Sequence, residues 1–169
     1  MRRTKSPWRR SPQALVLGYN RRLNRRSGAL DRNMQEFSWP VRVYYEDTDA
    51  GGVVYHAGYL RFMERCRTEW LRALGYEQDR LAQEEGILFV VRRMSIDFIA
   101  PARFNDRLDV TGVASRVRRA SLEFDQRVLR AEDGKPLCAA QVHIACIGAS
   151  SFVPCAMPDP LAKVIRVGA

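Results

Sequence analysis

One long amphipathic stretch followed by four strand-like runs leaves few architectures open to this chain. From Ala57 to Leu74 the apolar residues Tyr59, Phe62, Met63, Cys66, Trp70, Ala73 and Leu74 recur at helical spacing, which predicts a helix of about five turns. Its polar face carries Arg61, Glu64, Arg65, Arg67, Thr68, Glu69 and Arg72, with Arg65–Glu69, Glu69–Arg72 and Glu64–Arg67 spaced as ion pairs. Gly75 stands where a helix ends. A short polar helix is expected over Gln78–Glu85, and strands over Ile87–Ile99, Leu108–Val117, Ser121–Arg130 and Leu137–Ile147. Asp133-Gly134-Lys135-Pro136 and Arg118–Ala120 have the chemistry of connecting turns, while Pro101 keeps 100–106 out of any strand. Upstream of the helix, Val41, Val43 and Tyr45 alternate with Arg42, Tyr44 and Glu46, as in a strand with one buried face. From Ser150 on, three prolines suggest irregular chain. The expected class is α+β, with one long helix packed on an antiparallel sheet.

Charge divides the chain unevenly. Residues 1–34 hold ten of the 28 Lys and Arg and one of the 19 acids, so the whole net charge of +9 belongs to them. Such a composition buries too little apolar surface to fold, so 1–34 is expected to be a disordered basic extension before a domain over 35–169. Three readings of the extension stand open. It binds nucleic acid or an anionic membrane surface, it is an Arg-rich targeting peptide, or translation starts at Met34, just before the patterned segment. The remainder is charge-neutral, and no nucleic-acid partner is expected for the folded domain.

Between the first strand and the helix lies Glu46-Asp47-Thr48-Asp49-Ala50-Gly51-Gly52-Val53-Val54-Tyr55-His56. Glycines permit close backbone approach, and a helix start offers unpaired N–H groups beside a partial positive charge. A carboxylate beside such donors is an acid/base or a nucleophile paired with an oxyanion site. The plain alternative makes Asp47 and Asp49 turn and capping residues and His56 a helix-terminal one.

Other chemistries lack their residues. There is no Gly-x-Ser-x-Gly elbow and no P-loop or Rossmann glycine pattern. The two histidines, His56 and His143, stand outside any metal-ligand spacing, so neither metal nor organic cofactor is expected. No apolar run approaches the ~20 residues of a membrane-spanning helix. Cys66, Cys138, Cys146 and Cys155 form no Cys-x-x-Cys pair and read as reduced, buried thiols of a cytosolic protein.

The run Trp39–Ala57 resembles the N-terminal signature of hotdog-fold thioesterases of the 4-hydroxybenzoyl-CoA thioesterase-like group. Within that group it is most similar to the YbgC-like acyl-CoA thioesterases associated with the Tol-Pal system. Phe89-Val90-Val91-Arg92-Arg93-Met94, Ala100-Pro101-Ala102-Arg103 and Arg118-Arg119-Ala120-Ser121 extend the match, which runs from about Phe37 to Pro160. The resemblance implies a long helix wrapped by a sheet of about five strands. It also implies homo-oligomers, a dimer or dimer of dimers, with active sites where subunits meet. Asp49 then carries the chemistry, as nucleophile or general base, and the oxyanion is held at the helix entrance near His56. Arg118, Arg119 and Ser121 contact the nucleotide of coenzyme A, and Val90, Val91 and Arg92 line the acyl and pantetheine path. Acyl carrier protein as a thioester donor and peripheral membrane association follow as further expectations. Two rival readings use the same fold: a non-catalytic acyl-CoA sensor with a basic arm, and a scaffold of envelope or lipid metabolism.

Overall fold

The computed structural model describes residues 36–167. The expectations for the basic extension and for a start at Met34 lie outside these residues. The elements run β1 (Phe37–Arg42), a 3-10 turn (Tyr45–Asp47), α1 (His56–Ala73), α2 (Gln78–Glu84), β2 (Ile87–Phe98), β3 (Arg107–Val117), β4 (Ser121–Arg130), β5 (Pro136–Gly148) and α3 (Asp159–Val167). The five strands form one sheet in the order β1-β3-β4-β5-β2, every pairing antiparallel. The long helix and the four later strands thus match the expected α+β architecture.

Helix α1 lies on one face of the sheet and buries Tyr59, Phe62, Met63, Cys66, Trp70 and Leu71. Strand parity supplies the opposing surface, with Val110 on β3, Phe124 and Val128 on β4, and Cys138 and Val142 on β5 all buried. The Phe124 ring meets Trp70 edge-on at a centroid distance of 4.8 Å. Gly112 makes room for that ring, since a Cβ there would lie 2.3 Å from Phe124 Cε1. Burying a large apolar side chain contributes about 1.5–3 kcal/mol, so this seam is a main source of stability.

Two expectations need correction. The first strand covers Phe37–Arg42, earlier than the Val41–Glu46 alternation suggested. Val43 is buried as expected, but the Asp47 carboxylate accepts the Tyr44 N–H at 2.9 Å and turns the chain out of the ladder. Tyr44 and Tyr45 are consequently exposed. The C-terminal stretch is not irregular throughout, because α3 packs on β3 and buries Leu161, Ala162 and Ile165. Pro158 and Pro160 flank its start, where a missing N–H costs nothing.

The polar face of α1 also differs from its pattern. Arg72 bonds Glu69 as spaced, and Glu77 as well, but Arg65 makes no ion pair among the described residues. Arg67 pairs with Glu64 yet is buried, donating to Gln126 Oε1 at 2.7 Å. Gln126 Nε2 donates in turn to the Met63 carbonyl at 3.1 Å. A buried guanidinium is tolerable only with such partners.

Candidate active site

After β1 the chain folds into a small closed loop. The Asp49 N–H donates to the Val53 carbonyl at 3.0 Å, and the Gly52 N–H to the Asp49 carbonyl at 3.0 Å. Gly52 sits at φ +71°, a conformation that suits glycine. The two acids of this loop have separate situations. Asp47 is buried and structural: its carboxylate holds the Tyr44 N–H, and its carbonyl accepts the Tyr55 N–H at 2.9 Å. Asp49 is exposed, and its Oδ1 accepts the Gly51 N–H at 2.8 Å. Its Oδ2 accepts no hydrogen bond among the described residues. A Cβ on Gly51 would stand 3.0 Å from Oδ1, so the glycine lets the carboxylate turn onto that N–H.

Helix α1 begins three residues beyond Val53. The Gly58 N–H is taken by the Tyr55 carbonyl at 2.7 Å, while those of His56 and Ala57 have no acceptor among the described residues. Close packing sets this entrance, since a Cβ on Gly58 would come within 3.0 Å of Val54 Cγ1. The His56 ring lies 4.2 Å from that of Tyr55 and meets Phe98 edge-on at 6.5 Å. Phe98 also meets Tyr59 at 5.6 Å. The Pro101 loop clamps the corner: the Tyr59 hydroxyl oxygen accepts the Ala102 N–H at 2.8 Å, and the Ala102 carbonyl accepts the Val54 N–H at 2.9 Å. Burial raises the pKa of that tyrosine and keeps it a neutral phenol. The pairing of Thr48 with Val54 and the Tyr55 N–H on the Asp47 carbonyl tie the loop that carries Asp49, with its free Oδ2, to the helix entrance that carries the free N–H groups of His56 and Ala57.

The other expected site residues lie elsewhere. Val90, Val91 and Arg92 fall in the middle of edge strand β2, at the irregularity between Val91 and Arg93. Val91 lines a cavity of about 40 Å³ between α1 and the sheet, together with Glu64, Arg67 and Phe89. Arg118, Arg119 and Ser121 form the β3–β4 turn, closed by the Arg118 N–H on the Ser121 carbonyl at 2.8 Å. That turn is at the opposite end of the sheet, one strand length of about 30 Å from the acid loop. Its charges are loosely matched: Arg116 and Arg118 approach Glu123 at 3.8 and 3.9 Å, and Arg119 makes no ion pair among the described residues.

Sequence patterning missed two contributors. Phe98 is apolar but exposed, and nothing in the sequence ties it to His56. Gln126 did leave a trace, since it occupies the buried parity of β4 between Phe124 and Val128, where a polar side chain requires a partner. Among the described residues no three His, Cys, Asp or Glu side chains converge as metal ligands would.

Comparison with known proteins bears on this geometry. A family profile described as the thioesterase superfamily matches residues 51–137. The chain is 48% identical over 122 residues to the acyl-CoA thioesterase YbgC of Haemophilus influenzae, across 72% of this chain and 88% of that protein. It is 47% identical over 129 residues to the acyl-CoA thioester hydrolase YbgC of Escherichia coli O157:H7, across 76% and 95%. Among solved structures, a 1,4-dihydroxy-2-naphthoyl-CoA thioesterase from Synechocystis superposes with a TM-score of 0.73 at 27% identity, covering 78% of this chain and 96% of that one.

Proposed function

Since the chain belongs to the thioesterase superfamily, we propose that it hydrolyses acyl-CoA to free acid and coenzyme A with Asp49 as the catalytic carboxylate. The observation that carries this reading is one tied loop that bears the free Oδ2 of Asp49 at its turn and leads into the unpaired N–H groups of His56 and Ala57 where α1 begins. A substrate carbonyl seated there has donors for the oxyanion that develops on its oxygen. In the general-base route Asp49 takes a proton from water, and the hydroxide adds to the carbonyl carbon. The tetrahedral adduct then expels the thiolate, which recovers the proton. In the nucleophilic route Asp49 itself adds, the thiolate leaves, and water cleaves the resulting anhydride at the Asp49 carboxyl carbon. Single-turnover hydrolysis in ¹⁸O water separates the two, because only the second leaves ¹⁸O in Asp49. The His56 side chain orients water or adds a donor.

The reading includes a homodimer paired along β2. That strand is twelve residues long and lies at an edge of the sheet, whereas the opposite edge, β1, is short and carries Pro40. Antiparallel pairing of two β2 strands sets the catalytic corner of one subunit against the Arg118–Ser121 turn of the other. One substrate then spans both, with its thioester at Asp49 and its phosphates at Arg118 and Arg119. A pair of such dimers, a cytoplasmic location, a link to the Tol-Pal system, acyl carrier protein as an alternative thioester donor and peripheral membrane contact complete the proposal.

The experiment is thiol release from short, long and aromatic acyl-CoAs by wild type and Asp49→Asn. Turnover in the wild type and its loss in the variant are expected. Near wild-type turnover by Asp49→Asn would remove Asp49 from the mechanism.

A further inference from the structure

We propose that Phe152 is the stacking platform for the adenine of coenzyme A, beside the arginines at the end of the sheet remote from Asp49. The proposal rests on the reading that acyl-CoA is the substrate and that the Arg118–Ser121 turn holds its nucleotide.

After β5 the chain reverses through 149–152. The Gly148 N–H donates to the Val153 carbonyl at 2.9 Å, and the Phe152 N–H to the Gly148 carbonyl at 2.9 Å. The turn is tight, since a Cβ on Gly148 would lie 2.5 Å from Ser151 Oγ. Phe152 is held at φ +54°, a left-handed conformation that a bulky residue adopts only when its surroundings impose it. Yet the side chain is not drawn there by burial: Phe152 is 70% exposed and Val153 58%. The fold therefore presents an aromatic ring to solvent from a rigid, strained turn.

What lies beside it identifies the ligand. The segment leaving the loop is bonded to the β3–β4 turn by the Met157 N–H on the Arg119 carbonyl at 2.9 Å. The Cys146 N–H donates to the Ala120 carbonyl at 3.0 Å, and the Cys146 carbonyl accepts the Cys155 N–H at 3.0 Å. Cys146 lies one strand spacing from Ala120, and Gly148, whose carbonyl holds the Phe152 N–H, lies two residues of strand rise beyond it, so Phe152 projects from the same end of the sheet as the β3–β4 turn. Around that turn stand Arg116, Arg118 and Arg119 against the single carboxylate of Glu123. Guanidinium groups pair with phosphate oxygens, and an exposed phenyl face stacks on a base. Anionic phosphates joined to a flat π-system, an adenine nucleotide, match both features. A second copy of the chain docking on Phe152 would meet the apolar ring but leave the arginine excess unmatched.

The test uses Phe152→Ala and Phe152→Leu in the full chain. KM and kcat are measured for one acyl-CoA and for the same acyl group on pantetheine, and adenosine 3′,5′-bisphosphate is titrated calorimetrically. Both variants should raise KM for acyl-CoA about tenfold, the effect of losing one stacked base, with kcat and the pantetheine thioester unaffected. Bisphosphate binding should weaken by a similar factor. Equal KM changes on both substrates, unchanged bisphosphate binding, a Phe152→Leu variant with wild-type behaviour, or dissociation of the oligomer in either variant would each overturn the assignment. Absence of thiol release by wild type would refute the activity, while the titration would still decide Phe152.

Discussion

At one end of the sheet an acid loop, a histidine and the rings of Tyr55, Tyr59 and Phe98 surround the start of α1. At the other end Arg116 and Arg118 approach Glu123, Arg119 stands in the same turn, and Phe152 is exposed in the loop after β5. The first end has a carboxylate with a free oxygen and no Lys or Arg in its loop. The second has an excess of guanidinium groups, two of which approach Glu123. Strand length keeps them apart within one chain, and the edge strand β2 runs from one to the other. In the proposed mechanism one end cleaves the bond and the other recognises the carrier, and pairing across β2 would reunite them.

The sharpest way to break that comparison is Asp49→Asn, which should lower kcat ~10²-fold or more with the fold intact, as removal of a catalytic carboxylate does. Circular dichroism beside the kinetics checks both halves. Its neighbour should respond differently. Asp47→Ala leaves the Tyr44 N–H without its buried acceptor and should cost ~1–3 kcal/mol of stability in urea titration. A stable Asp47→Ala protein with collapsed kcat would mean that the roles of the two acids are exchanged. Val91→Glu places like charges near the axis of a β2–β2 pair. Sedimentation should then show monomers, with activity down about tenfold or more, because each half-site has lost the other. An intact dimer with only KM altered would leave Val91 a substrate contact and β2 unpaired. Arg118→Ala should raise KM for acyl-CoA several-fold, about 1 kcal/mol, and spare a pantetheine thioester. Equal effects would detach the far end from the nucleotide. The smallest effect at neutral pH belongs to the buried thiols. Burial pushes Cys66, Cys138 and Cys146 up to about 12. The unfolded thiols ionise near pH 9, so the stability these groups confer is complete below that pH and is lost as pH rises toward 12. Cys66→Ala should flatten that alkaline fall without changing its direction, as urea midpoints between pH 8 and 11 will show.

Much of the fold was legible because its signals are periodic and local. Tyr59, Phe62, Met63, Cys66 and Trp70 stand at helical spacing, and the four later strands are bounded by Gly75, Pro101, Arg118–Ala120 and Asp133-Gly134. The first strand was misplaced because a side chain, Asp47, takes over a backbone donor, and alternation carries no record of that competition. The helix α3 was obscured by Pro158 and Pro160, which stop a helix when inside it and start one when before it. At the site, the pairing of an acid loop with a helix entrance could be read from adjacency alone. The Phe98 ring beside His56 could not, because 42 residues separate them and only tertiary structure closes the gap. Arg67 was placed on the polar face with Glu64 alone as its partner, since its second partner Gln126 lies on a distant strand.

That buried guanidinium has a mechanical consequence. Apolar contacts tolerate small rotations better than hydrogen bonds do, so a helix seated only on Phe124 and Val110 would keep some freedom to roll about its own axis. Arg67 and Gln126 remove this freedom, because the bonds from Arg67 to Gln126 and from Gln126 to the Met63 carbonyl form at one azimuth. A roll of α1 swings its first turn by the same angle, and with it the free N–H groups of His56 and Ala57. The polar pair in the core therefore acts as a key in a shaft, fixing the direction of the donors three turns away on which the proposed oxyanion site depends.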